Sequence, residues 1–297
     1  MKLNQLRNMI AIVERGSLRA AARHLDVAQS ALTRSIRELE RELGSALFER
    51  DTRGMVLTPM GKLFFQRASS AVNELTRARE EMAQARGGTD GTVTAGLSIM
   101  PHVGMLPGAL PLFRKHFPGV VLKVIEDLYP AIEPGLRDGS VDFYLGASPN
   151  GPLAPGLVSK LLFHNTRLVF ARKGHPLAAA KSLRELAQAE WLTPSLTTIA
   201  TEDLNILFGS FGLPPPQIRL QAHSAMSVMV ALASTDLLAM LPEQWNEFSL
   251  TQDALQVIRL RERLSAPDII FVRRADLPLT PAAEYFADML QRYSRPA

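Results

Sequence analysis

In the N-terminal third of the chain apolar positions recur every three or four residues, and beyond it short apolar runs alternate with helical stretches. Leu3, Leu6, Ile10 and Val13 predict a helix over 3–15 with one buried face. Gly16 ends it, and Ser17 is placed to cap the next helix, "SLRAAARHL". After the turn "DVA", Leu32, Ile36, Leu39 and Leu43 predict a third helix buried along one stripe. Its opposite side carries Ser30, Arg34, Arg37 and Arg41, with Gln29 and Thr33 flanking the helix start. A solvated face would explain that row in an isolated helix. Two helices joined by a short turn, however, are the arrangement that seats the second in a DNA major groove. The following "ALFERDTRGMVLTPMG" reads as strand, polar tip, strand, a hairpin wing able to reach a phosphate or the minor groove.

Residues 59–86 carry the longest helical pattern, about 40 Å long at 1.5 Å per residue. Pro59 suits a first helical turn, and Gly87 with Gly88 stops the helix. Phe64, Ala68, Ala71, Leu75, Ala78, Met82 and Ala85 recur at alternating spacings of four and three, a narrow heptad seam in which alanines permit close helix approach. Pairing with a second copy is expected in preference to packing on the helix's own domain. A dimer would set two reading helices about one DNA turn apart and call for a near-palindromic site.

"GGTDGT" follows as a hinge by composition. Beyond it, "TVTAGL", "VVLKVIED", "VDFYLGA", "LVFAR", "WLTP", "IRLQAH", "LLAML" and "DIIFVRR" read as strands between helices, the last helix being "TPAAEYFADMLQRY". That alternation predicts α/β units around largely parallel sheets. Roughly 205 residues suit two lobes with a cleft between them. The expected organisation is a DNA-binding domain over 1–58, a linker and dimerisation helix over 59–88 and an effector domain over 89–297. Within the last, one lobe takes about 92–161 and 268–297 and the other about 162–267.

Charge sharpens the picture. The net formal charge of +4 lies wholly in residues 1–91, which hold 15 Lys and Arg against 11 Asp and Glu, whereas 92–297 hold 18 of each. An anionic partner for the first third is implied. The chain has no cysteine, which excludes disulfides, thiolate zinc sites and cysteine nucleophiles. No apolar run approaches a membrane span and no secretory signal is read at the start, so the expected compartment is the cytoplasm, with no membrane partner.

"GSLRAAARHL" followed by "QSALTRSIRELERELGSALFER" resembles the LysR-type transcriptional regulator family, and weaker marks continue through "LRDGSVDF", "KGHPLA", "LLAMLP" and "LPLTPAA". The segments "LYPAIEPGLRDGSVDF" and "RRADLPLTPAA" are most similar to the branch containing regulators of toluenesulfonate degradation. The resemblance implies a winged helix-turn-helix, a coiled-coil linker helix and a two-lobed α/β effector domain similar to type 2 periplasmic binding proteins. It further implies a homodimer through the linker, assembled into a homotetramer, double-stranded DNA as partner, and RNA polymerase as a further candidate partner. Its reading positions fall on Gln29, Ser30, Thr33 and Arg34, with Arg37 on the same face and Arg50, Thr52 and Arg53 on the wing. Gln can pair bidentately with an adenine edge and Arg with a guanine edge, while hydroxyls and wing arginines suit phosphates. Two departures stand out. Ala28 occupies the cap of the reading helix where the family has Ser, and Ser35 replaces a longer polar residue.

The same resemblance puts a ligand between the lobes, at Ser98, Ile99 and Met100, at Leu128 and Tyr129, along 193–198 including Thr197 and Thr198, and at Ser224. Hydroxyls there could bind a carboxylate or sulfonate, and Met100 and Tyr129 could face an aromatic ring. An aromatic carboxylate or sulfonate is one candidate effector, but no arginine in these loops is visibly dedicated to an anion, so the charge of the ligand stays open. Each residue could equally cap a strand or fill the core, and His102 either meets ligand or caps a helix. The six histidines show no metal-ligand spacing, and phosphate-binding glycine loops, GxSxG and HExxH are absent from the sequence. Neither an enzyme nor a cofactor or metal is expected. A free solute-binding protein would need an export signal and no winged helix. Two readings remain open at this point, a ligand-responsive regulator and one that binds DNA without a small ligand.

Overall fold

The computed structural model describes residues 1–51, 54–195 and 198–293, with the backbone alone at 50, 198–200, 249 and 250. Two units emerge, Met1–Gly88 with Pro134–Val141, and Thr89–Glu133 with Asp142–Ala297.

The first unit opens with α1 (Leu3–Arg15), α2 (Leu18–His24) and α3 (Gln29–Leu43), followed by β1 (Phe48–Asp51), β2 (Gly54–Leu57) and α4 (Pro59–Ala85). Helix ends follow the sequence signals. Gly16 and Gly44 take left-handed φ values of 70° and 65° behind α1 and α3, and the Ser17 hydroxyl accepts the Ala20 N–H at 3.2 Å. Between α2 and α3, Asp26 holds a φ of 53°, a conformation that Asp tolerates better than most residues. Met9, Ile12, Ala21, Leu32, Ile36, Leu39 and Leu47 form the core. The buried face of α1 runs through Leu6, Met9 and Ile12, so Ile10 and Val13 sit at its margin, half-buried. Leu43, expected on the buried stripe of α3, is 39% exposed because it lies in the last turn, beyond the helices that cover Leu32 and Leu39. β1 and β2 pair antiparallel from Phe48↔Leu57 to Asp51↔Gly54.

Thr58 starts α4. Its hydroxyl accepts the Gly61 N–H at 2.9 Å and donates to the Ala46 carbonyl at 2.7 Å. Along the helix the expected seam divides. Phe64 packs on the three-helix core and Ala68 is buried. Ala71, Leu75, Ala78 and Met82 are exposed, Leu75 by 50% and Met82 by 59%. On a different face the Asn73 amide donates to the Asp138 carbonyl at 2.9 Å and Arg77 donates to the Gly139 carbonyl, both within this unit.

The second unit contains β3 (Asp90–Leu97), α5 (Ile99–Gly104), α6 (Leu106–His116), β4 (Gly119–Glu126), the start of α7 (Tyr129–Asp138, whose residues from Pro134 on belong to the first unit), β5 (Phe143–Ala147) and β6 (Leu157–Phe163). It continues with β7 (Thr166–Arg172), β8 (Glu190–Thr193), α8 (Thr198–Ser210), β9 (Gln217–Gln221), α9 (Ala225–Ser234) and β10 (Leu238–Pro242). α10 (Ser249–Gln252), β11 (Leu255–Ile258), β12 (Leu264–Ser265), β13 (Ile269–Arg274) and α11 (Pro281–Arg292) complete it. One sheet runs β4-β3-β5-β13-β6 and the other β11-β7-β10-β8-β9, with β12 also on β7.

Both sheets are mixed, which corrects the expectation of largely parallel strands. β3 lies parallel to β4 and β5, and β8 parallel to β9 and β10. β13 runs antiparallel to β5 and β6, and β7 antiparallel to β10 and β11. The cause is the path of the chain. It leaves the first sheet after β6 and returns in β13, and strands entering from the other sheet need no parallel crossover. β6, β11 and β12 escaped the sequence reading, since β6 is an edge strand exposed along its middle and the others are four and two residues long. Among the described residues no helix is long and apolar enough to cross a membrane.

Candidate nucleic-acid interface and ligand cleft

Buried Leu32, Ile36 and Leu39 turn α3 so that Gln29, Ser30, Arg34, Arg37 and Arg41 face outward, all exposed. Ala28 begins the helix in extended backbone without a side-chain cap, so the first-turn N–H groups draw nothing from it. The Thr33 hydroxyl donates to the Gln29 carbonyl at 2.9 Å, which commits its proton to the helix. Ser35 accepts from the Asn8 amide at 2.7 Å and lies half-buried, so the shorter residue belongs to the α1 contact. Glu40, not singled out in the sequence, accepts the backbone N–H of Leu47 at 2.8 Å and of Phe48 at 3.3 Å, joining the reading helix to the base of the wing. Arg50 lies on β1 by its backbone, while Thr52 and Arg53 lie outside the described residues.

In the second unit a cavity of about 200 Å³ opens at the carboxyl ends of β3, β4, β5, β8 and β10. Ligands in open α/β sheets sit beyond such strand ends. Ser98, Ile99, Met100, Leu128 and Tyr129 line it, together with Asn165, Arg167, Thr193, Asp203 and Met240 from the other sheet's side. The site's hydroxyls are largely engaged by the wall itself. Ser98 is 2% exposed and accepts the Ala147 N–H at 3.3 Å. The buried Tyr144 hydroxyl donates to the Ala147 carbonyl at 3.0 Å, and desolvation pushes its pKa above the ordinary phenol value against the lowering hydrogen bond to Ser98. This knot requires Gly146, because a Cβ there would lie 2.4 Å from the Tyr144 hydroxyl and 2.6 Å from Ser98. The Tyr129 hydroxyl accepts the Ala154 N–H at 3.3 Å, and its ring meets that of Tyr144 edge-on at 5.9 Å.

The expectation for Ser224 is corrected. It does not line the cavity; its hydroxyl caps α9, accepting the Ser227 N–H at 3.2 Å, as a serine before a helix commonly does. Thr197 lies outside the described residues, and Thr198 opens α8 with its side chain outside them too. His102 stands beyond the lining, its Nδ1 3.3 Å from the Ser98 carbonyl. The groups missed were Asn165, Arg167 and Asp203. Arg167, 8% exposed, donates from Nη1 to Asp203 Oδ2 at 2.8 Å and from Nε to the Ser265 carbonyl at 2.5 Å. A sequence signal existed for the arginine, since strand periodicity puts it on the face of buried Val169 and Ala171.

Residues 3–62 match the family described as bacterial regulatory helix-turn-helix protein, lysR family, and residues 86–295 match the LysR substrate binding domain. The chain belongs to the LysR family. As such it is a DNA-binding transcriptional regulator with an effector-binding domain, and not an enzyme. The HTH-type transcriptional regulator GalR of Pseudomonas putida is 27% identical over 280 residues, 94% of this chain and 70% of that protein. The HTH-type transcriptional regulator TfdS of Cupriavidus pinatubonensis reaches 33% over 217 residues, 72% and 68% of the two chains. The LysR fold extends over the full length. The crystal structure of full-length CbnR complexed with its target DNA superposes with a TM-score of 0.71 at 21% identity, covering 99% of this chain and 100% of that one.

Proposed function

We propose that two copies of this LysR regulator, joined along α4, present α3 to successive major grooves of a near-palindromic operator. The observation that carries this reading is the outward row Gln29, Ser30, Arg34 and Arg37 on a helix whose other side is core. Gln29 and Arg34 pair with base edges, and Ser30 with the uncapped first turn binds phosphate. Thr33, its proton already given to the helix, contributes its methyl and lone pairs. Arg37, Arg50, Thr52 and Arg53 hold the flanking backbone and raise affinity for any sequence. The exposed stripe Ala71, Leu75, Ala78 and Met82 supports the dimer, since apolar residues at heptad spacing on a long helix fit a second identical helix. The interlobe cavity takes the effector.

The test is a salt-controlled titration against a duplex selected from a random-sequence pool, with a scrambled duplex beside it. Arg34→Ala should weaken binding to the selected duplex by roughly tenfold and narrow its margin over the scrambled one. Arg53→Ala should weaken both alike. Equal affinity of wild type and Arg34→Ala for the selected duplex would overturn the assignment of α3 as the reading helix.

A further inference from the structure

The walls of the cavity constrain the chemistry of what fills it, an argument that rests on the reading of this cavity as the effector site. Among its described lining residues only Arg167, Asp127 and Asp203 carry formal charge, one positive against two negative. The positive charge of Arg167 is already matched by Asp203, which accepts from Nη1, while Nε is given to the Ser265 carbonyl. A ligand carboxylate would compete with Asp203 for that charge and would also face Asp127. Backbone donors are scarce as well. Five lining residues, Pro130, Pro149, Pro194, Pro242 and Pro267, have no N–H, and Pro130 removes one from the first turn of α7. Each proline takes one N–H from the set out of which an anion cradle would be built. Asn165 supplies the complementary observation. It lines the cavity at 7% exposure, and its Oδ1 accepts no hydrogen bond among the described residues. A buried acceptor left unpaired is costly, and a ligand donor would relieve it.

We propose that the effector of this protein is an uncharged small molecule with an apolar body and a hydrogen-bond donor that reaches Asn165, which closes the question of ligand charge that the sequence leaves open. Asn165 selects the donor, and the Arg167–Asp203 pair with Asp127 rejects anions. The specificity arises by repulsion as much as by attraction.

The test uses full-length protein in a thermal-shift screen of a fragment library sorted by charge at neutral pH, with matched pairs such as benzamide against benzoate and toluenesulfonamide against toluenesulfonate. Stabilising compounds should be uncharged and act in proportion to concentration. Asn165→Leu should bind them about tenfold more weakly while its own melting temperature holds or rises, since an unpaired acceptor has been removed. Asp203→Asn, which frees Arg167, should gain carboxylate ligands. Wild-type stabilisation mainly by anions, or equal binding of uncharged ligands to Asn165→Leu, overturns the ligand class and leaves the cleft as the site. No ligand for any of the three proteins overturns the cleft reading itself, and this inference with it.

Discussion

The Glu40 carboxylate, on α3, accepts the backbone N–H of Leu47 at 2.8 Å, one residue before β1 begins. The Phe48 N–H shares the same oxygen at 3.3 Å. The wing therefore takes its position from α3, although its sequence contains no contact with that helix that could be read in advance. Removing the carboxylate with Glu40→Ala should cost about 1–2 kcal/mol in denaturant unfolding, as loss of a charge-assisted acceptor does. Glu40→Gln, which keeps one acceptor oxygen, should cost less. If the wing holds the phosphate backbone as proposed, affinity for a scrambled duplex should also fall with Glu40→Ala.

Gly61 approaches the Leu47 carbonyl so closely that a Cβ would lie 2.0 Å from the oxygen. Inside an exposed helix, Gly→Ala normally stabilises by about 1 kcal/mol. Here Gly61→Ala should instead destabilise, by about 1–3 kcal/mol, as overpacking does. A melting temperature unchanged or raised would show that the start of α4 can move off the strand.

The outer stripe of α4 is predicted to carry the subunit contact. Leu75→Asp with Met82→Asp alters side chains that are 50% and 59% exposed in the single chain, so the fold should persist by circular dichroism. Sedimentation should then shift toward monomer, and affinity for the two-half-site duplex should drop far more than affinity for one half-site. An unchanged sedimentation profile would place the dimer contact elsewhere.

At the cleft, Glu126 at the end of β4 accepts the Ala225 N–H at 2.7 Å, binding the first sheet to the first residue of α9 on the second. His223 and Asp127 approach to 3.5 Å beside it. Glu126→Ala should speed hydrogen exchange at the start of α9 and weaken cleft ligands severalfold, because both depend on the lobes being held together. Exchange as slow as in wild type would mean that other contacts suffice to hold the lobes.

What was legible in the sequence was local. The bounds of α1 and α3, the glycines behind them, the Ser17 cap and the long α4 follow from periodicity and from residues within four positions, so they needed no knowledge of the rest of the chain. The same holds for the polar face of α3, whose buried stripe determines what must face outward. Strand direction was not legible, because a strand's own pattern is the same whichever way its neighbour runs. Edge strand β6 was missed because neither of its faces is consistently covered.

The cleft divides along the same line. Ser98, Met100 and Tyr129 line the cavity and could be placed there in advance because strand ends and the turns after them can be located one segment at a time. Ser224 was misjudged since a hydroxyl before a helix looks alike whether it caps or binds. The Arg167–Asp203 pair joins residues 36 positions apart, and the unpaired Asn165 oxygen is a fact about everything surrounding it. The sequence by itself determined the N-terminal helices and the outward chemistry of α3, because short-range sterics and burial periodicity settle both. Only the tertiary structure decided strand pairing, the anchoring of the wing by Glu40 and the charge balance of the cavity, because each depends on groups brought together across long stretches of chain.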